Sequence, residues 1–334
     1  ARDLSLEGED ALNRAMTRAA TRSDTEFLFR EAAEKFQTAT DLDPSRAESY
    51  AGLVQAYAYL GSWGFLTYEE AFPLMSAAAE EAMALDSLSA PVRAAMGYMS
   101  GLAEREYEQS LAHFLRAYEL EPGHQNAPIW KNNAAAMLTD LGRPDEAMSL
   151  VRATAGFDSI GWDRETLVEL LIYSDRYEEA LTEAQHAIAQ GADTARMNWR
   201  GSKALIELGR FDEARSMLEA RTSATAQRRL AQLHARSGEP EFALRLVEDA
   251  RAQSATDRMY SGRSDEAKVH AWLGDSDQAL DLLEAEFAER GYIFYLPSDP
   301  AYRPLRQEPR FVRLLARTGL SCSFAEIGHT CRPM

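Results

Sequence analysis

Small and large apolar residues return along this chain at a fixed interval, each time behind the same short polar turn. LGRPDEAMSLV begins at Leu141, SDRYEEALTEA at Ser174, LGRFDEARSML at Leu208, SGEPEFALRLV at Ser237 and LGDSDQALDLL at Leu273. The alanines Ala147, Ala180, Ala214, Ala243 and Ala279 are spaced by 33, 34, 29 and 36 residues. A period of this size is the signature of a stacked helix–turn–helix repeat. Glycine or a short polar residue ends the first helix, where a left-handed backbone is needed. An acidic residue in the first turn of the second helix suits its dipole. The alanine lets paired helices approach closely, and Val151, Leu218, Val247 or Leu283 one turn on fills the space between them.

The N-terminal half follows the same plan less regularly. Residues 29–61 read as a second helix, a turn at Pro44 and a first helix, and Pro122 closes the helix of YEQSLAHFLRAYELEP. After Gly61 the segment SWGFLTYEEAFP adds a helical turn or more, so the second pair is stretched and its second helix is expected to settle near Met75. No strand is evident, and no run approaches 18 apolar residues. The pattern predicts an all-α chain: a repeat region over 1–290 with the stretched pair at about 47–87, a capping segment over 291–320 and a tail over 321–334.

These residues resemble the tetratricopeptide repeat family, most clearly in LDPSRAESYAGLVQAYAYLG and LGRFDEA. The resemblance covers about residues 10–290 and implies a right-handed superhelical solenoid of about eight helix pairs. More narrowly, the chain is similar to the tetratricopeptide region of bacterial signalling proteins that carry a winged-helix regulator, an adenylate cyclase or a serine/threonine kinase. That likeness rests on YAGLVQAYAYLGSWG, REYEQSLAHFLRAYELEPGH and the closing SDPAYRPLRQEPRFVRLLARTGL, with Asp299, Pro300, Pro304, Leu305, Arg306, Gly319 and Leu320. The tail beyond Leu320 departs from the pattern.

A net charge of −17 over 334 residues argues against nucleic acid as a partner. The chain begins at Ala1, as expected if a leader was removed or if this is a piece of a longer protein. The only cysteines, Cys322 and Cys331, fall in the last thirteen residues. They are a disulfide candidate, which implies an oxidising compartment, or two free thiols in a tail. With His329 they offer three zinc ligands, too few for a site of their own, so no metal and no cofactor is expected. There is no phosphate loop, dinucleotide fingerprint, nucleophile elbow or HExxH, and no catalytic residue is assigned. His234 and His270, four residues before turn glycines, read as helix-packing residues.

In this repeat type the first helices line the concave side. Positions ten and six residues before each turn share a face. They are Ala51 and Gln55, Asn132 and Ala136, Glu165 and Glu169, Trp199 and Lys203, Arg228 and Gln232, and Ser264 and Lys268. Two of the four lysines of the chain, Lys203 and Lys268, thus take equivalent positions, with Arg228 between them and Arg196 and Arg236 on the same helices. This local basic patch predicts a seat for a carboxylate, either an acidic segment or the C-terminus of a partner. The bland alternative is cations paired with neighbouring acids. Trp199, with Trp162 and Trp272, offers apolar anchors, and Asn132 and Asn133 offer amides. Trp63, Phe65, Tyr68 and Phe72 either pack the stretched pair or form an exposed contact. The function expected is non-catalytic: the sensory or scaffolding part of a bacterial signalling protein that holds a protein or peptide. A sensor for a small anion and a dimerising scaffold are the alternatives. The compartment expected is periplasmic or extracytoplasmic, the alternative cytoplasmic.

Overall fold

In the computed structural model, which describes all residues except 18–21, 154–161, 220–222, 255–261, 291–292, 294 and 326–328, the repeat turns take a backbone conformation open to few residues. Gly209 and Gly274 sit at φ 72° and 80°, and Asp175 takes the same left-handed conformation at φ 60° without being glycine. An arginine follows several of these turns and grips the glutamate three residues on. Arg143, Arg176 and Arg210 each place Nε 2.7 Å from Oε1 of Glu146, Glu179 and Glu213. The second helices then open on alanines that are wholly buried: Ala147, Ala180, Ala214, Ala243 and Ala279.

The chain forms two compact units, Ala1–Ala134 with Glu289–Gly291, and Ala135–Ala288 with Tyr292–Met334. The first unit contains α1 (Arg2–Thr17), α2 (Arg22–Leu42), α3 (Ala47–Ser62), α4 (Tyr68–Leu85), α5 (Ala90–Tyr98) and α6 (Tyr107–Leu120), and α7 (Ala127–Asp140) begins in it. Helices pack in sequence as pairs, and α1, α3 and α5 also touch one another in turn. Phe36 of α2 lies flat against α3, so a Cβ on Gly52 would stand 2.3 Å from its ring. The stretched pair differs from expectation. The second helix starts at Tyr68, not near Met75, because Thr67 and Glu70 form a reciprocal capping box that starts it, with Pro73 inside the helix. Phe65 is buried against Phe29, Tyr68 stacks on Phe72, and Trp63 is 38% exposed. A π-helical turn, Met99–Glu104, extends α5, which the sequence did not announce.

The second unit contains α8 (Pro144–Arg152), α9 (Trp162–Tyr173), α10 (Tyr177–Ala189), α11 (Thr194–Glu207), α12 (Phe211–Leu218), α13 (Ala224–Arg236), α14 (Pro240–Ser254), α15 (Arg263–Leu273) and α16 (Ser276–Arg290). The first helices α9, α11, α13 and α15 contact one another in succession and form one layer. A 3-10 turn (Pro300–Leu305) and α17 (Pro309–Arg317) follow. Leu296, Tyr302, Leu305, Phe311, Leu314 and Leu315 share an apolar cluster with Ala267 and Ala271 of α15 and Leu283 and Phe287 of α16. The capping segment therefore covers the apolar face that the last pair would otherwise expose.

The expectation of no strands is corrected in the tail. There β1 (Leu320–Phe324) and β2 (His329–Pro333) pair antiparallel with Cys322 opposite Cys331. The two cysteines form a disulfide, with Cα atoms 4.1 Å apart. β1 alternates Leu320, Cys322 and Phe324 with Ser321 and Ser323, a pattern too short to stand out, while β2 is mostly polar; the bond between the directly opposed Cys322 and Cys331 favours their register. The hairpin rests on the turn after α7, where the Cys331 N–H donates to the Leu141 carbonyl at 3.3 Å.

Two outcomes follow from this packing. Gly52→Ala forces the Phe36 ring aside and should cost about 1–3 kcal/mol in denaturant unfolding; an unchanged midpoint would refute it. Cys322→Ser/Cys331→Ser should loosen the hairpin by about 2–3 kcal/mol, the loop-closure entropy of a ring this short. Faster amide exchange confined to β1 and β2 is the readout.

Candidate functional site

Lys203 and Lys268 occupy matching positions on α11 and α15, separated by α13. Both ammonium groups reach one carboxylate, which belongs to the chain itself. Asp299 Oδ2 lies 2.7 Å from Lys203 Nζ and 3.3 Å from Lys268 Nζ. Lys268 also meets Asp265 Oδ1 at 3.2 Å. Further polar contacts hold the segment on either side of Asp299 to the layer of first helices and their turns. Ser298 donates to Asp140 at 2.7 Å, the Tyr302 hydroxyl to the Ser264 carbonyl at 3.0 Å, and Arg303 to Asp175 at 2.6 Å. Tyr295 stacks on Tyr173, with ring centroids 4.2 Å apart, and Lys203 Nζ lies 4.2 Å over the same Tyr173 ring. The unit thus holds a strap of its own chain, Tyr295–Arg306, against its inner helices.

Burial governs the ionisation of this cluster. It disfavours the Asp299 anion, but Lys203 and Lys268 outweigh it and hold the carboxyl well below the usual range. It lowers Lys203 to about 8 against the pull of Asp299. Lys268 is desolvated as well, but Asp299 and Asp265 keep it charged and raise it. At two other carboxyls burial wins: Asp140 has no cation beside it among the described residues, and Lys203, Arg236 and Arg303 do not outweigh the desolvation of Glu207. Burial pushes Asp140 up to about 7 against the Ser298 hydrogen bond, and Glu207 also up to about 7, with Asp299 adding repulsion.

The remaining residues of the expected patch disperse. Arg228 is corrected from a groove residue to a core one: it is wholly buried, with Nε 3.6 Å from Glu266, which Arg251 also grips at 2.8 Å. A cation at that depth is tolerated only beside a carboxylate, and Glu266 on the neighbouring helix supplies it. Arg196 turns to Glu165 at 2.8 Å, and Arg236 lies 4.2 Å over the Trp272 ring. Asn132 belongs to the first unit, where its neighbour Asn133 donates to the Tyr98 hydroxyl at 3.1 Å in a network with Gln55 and Tyr59. The side chain of Trp162 lies outside the described residues. His234 packs on Phe242, and its Nδ1 is 3.2 Å from Glu239; His270 is likewise 3.2 Å from Asp275.

Beside the strap, Trp199 and Lys203 line a small open cleft together with Glu169, Ile172, Tyr173, Arg200 and Arg229. Arg200 places Nη2 2.9 Å from Glu165, and Arg229 lies 4.5 Å over the Trp199 ring. The residues that the sequence reading missed are Asp299, Asp140, Arg200 and Arg229. Only Asp299 carried a signal, as the acid of the closing Ser-Asp-Pro, yet nothing in the sequence brings it to two lysines 31 and 96 positions earlier.

The buried carboxyls set a pH dependence. Asp140 goes from 3.8 to about 7 on folding, so its contribution to stability is complete below about pH 4 and is lost as the pH rises through 7. Asp299, with a lowered value, contributes in the opposite sense, above its usual 3.8, and loses that contribution as the pH falls. Asp140→Asn should therefore raise the melting temperature above pH 7 and flatten its decline between pH 4 and 7 by about half, Glu207 titrating in the same window. Thermal melts across pH test this, and an unchanged slope in the variant would refute it.

The family model for the tetratricopeptide repeat matches residues 202–220 and 261–285. No curated protein matches the chain in sequence. Among solved structures, a tetratricopeptide repeat protein from Parabacteroides merdae is similar at 12% identity and a TM-score of 0.52, over 81% of this chain and 99% of that one. Yeast Tom70 is similar at 17% identity and a TM-score of 0.50, over 94% of this chain and 67% of that one. The Cut9–Hcn1 hetero-tetramer of the APC/C is similar at 12% identity and a TM-score of 0.52, over 95% of this chain and 58% of that one. At these identities the likeness is one of fold, and with the family match it establishes that this chain carries tetratricopeptide repeats in an all-α, solenoid-type fold.

Proposed function

We propose that this chain is a non-catalytic binding module, the sensory or scaffolding part of a bacterial signalling protein, that holds a partner's acidic segment on the first-helix layer of its second unit. One observation carries the reading: that layer already grips a peptide segment by its carboxylate, with Asp299 between Lys203 and Lys268. The repeat fold is an interaction scaffold, and first helices packed side by side offer the side chains of several repeats to one extended ligand. The signalling context is supported by the resemblance of the stretched second pair and of the closing SDPAYRPLR to bacterial signalling proteins. No described helix is long and apolar enough to cross a membrane. The disulfide between Cys322 and Cys331 favours an oxidising, extracytoplasmic compartment.

A small organic anion is the second reading, favoured by the modest cleft at Trp199. Selection of a random peptide library on the full chain separates the two. Enrichment of segments bearing Asp or Glu is the expected result. Enrichment without acidic residues, or none at all, would overturn the acidic-segment reading.

A further inference from the structure

Most cations of the second unit described above have a carboxylate. Lys203 and Lys268 share Asp299, Arg196 and Arg200 share Glu165, and Arg228 and Arg251 share Glu266. Arg229 differs. Its guanidinium stacks on Trp199, makes no ion pair among the described residues, and leaves Nη1 buried without a hydrogen-bond partner. Arg200 Nε, in the same cleft, is also buried without a hydrogen bond, 3.6 Å from Glu169. A buried donor left unmade costs more than a bond is worth once formed, so such groups are normally matched by an acceptor.

We propose that the cleft at Arg229, Arg200 and Trp199 is a carboxylate subsite that receives an aspartate or glutamate side chain of the bound segment. This rests on the reading of the second unit as an acidic-segment binder and names the residues that would read the acid. The indole fixes the plane of the Arg229 guanidinium, and a fixed fork loses little freedom when it binds a carboxylate. Lys203 bounds the same cleft and is already neutralised by Asp299, so it adds no net attraction. Arg200 is balanced by Glu165, whereas Arg229 has no carboxylate within ion-pair distance among the described residues and feels Asp265 only through longer-range attraction. Glu169 stands on the lining and is one-third exposed. One cation without an ion pair of its own, with the Glu169 carboxylate on the same lining, suits a singly charged acid better than a doubly charged phosphate. The exposed arginines Arg143 and Arg210 serve as controls, each being held by its own helix's glutamate.

The test titrates acetate, and separately inorganic phosphate, into the full chain and follows arginine Nε–H and tryptophan indole resonances. Acetate should shift Arg229 and Trp199 saturably, leave Arg143 and Arg210 in place, and lose its effect in Arg229→Gln. Shifts that are equal at the control arginines or absent, or phosphate saturating the site ahead of acetate, would overturn the assignment. Peptides recovered by library selection give a second readout. Arg229→Gln should weaken them about tenfold or more, as should replacing their acidic residue by its amide, and the two losses should not add. Peptides indifferent to Arg229→Gln would sink the subsite while leaving the acidic-segment reading intact. An acetate response without any selected peptide would do the reverse.

Discussion

A carboxylate buried between two ammonium groups is the constraint around which the second unit is arranged. Asp299 is 2% exposed, and neither it nor the lysines can be left alone at that depth. Lys203 and Lys268 lie on separate repeats, so the spacing of α11 and α15 is tied to a single oxygen atom of the capping segment. With Asp299 removed, two like charges would face each other at a buried site. The strap's other contacts, from Ser298 to Asp140 and from Arg303 to Asp175, extend the same grip along the layer.

That grip explains a departure from the repeat pattern. Asp175 stands where other turns carry glycine, and it takes the left-handed conformation at some cost to the backbone. Its carboxylate accepts from Arg303 at 2.6 Å and from the Tyr177 hydroxyl at 2.5 Å, contacts that glycine could not make. The hairpin works at the other end of the same segment. Joined by Cys322–Cys331, it lies on the turn after α7 and fixes the chain beyond α17.

The charge of the chain also takes on a different meaning in three dimensions. An excess of 53 acidic over 36 basic residues means that a cation easily finds an acid, and Arg228, Arg251, Arg196 and Arg200 all do. Against that background Arg229 stands out for stacking on an indole with no carboxylate in ion-pair contact among the described residues.

The repeat was legible in the sequence because it is local. A turn residue, an acid and an alanine at a fixed spacing determine helix ends and close approach within about a dozen residues, and the alanines at 147, 180, 214, 243 and 279 are wholly buried as that spacing requires. The shared face of Lys203 and Lys268 was legible for the same reason, since helical periodicity fixes which side chains point together. What fills that face was not. Asp299 meets Lys203 across 96 positions and Ser298 meets Asp140 across 158, contacts that depend on the path of the chain after the last repeat. No periodic signal carries that path. The pairing of the tail's strands is hardly more legible, since β1 alternates over only five residues and β2 does not, and neither is the place of Arg228, whose neighbour in sequence faces a cleft while it faces the core. Local spacing decided the helices and their inner faces; only the tertiary structure decided which charges meet there, because burial makes each of them depend on a partner far away in the chain.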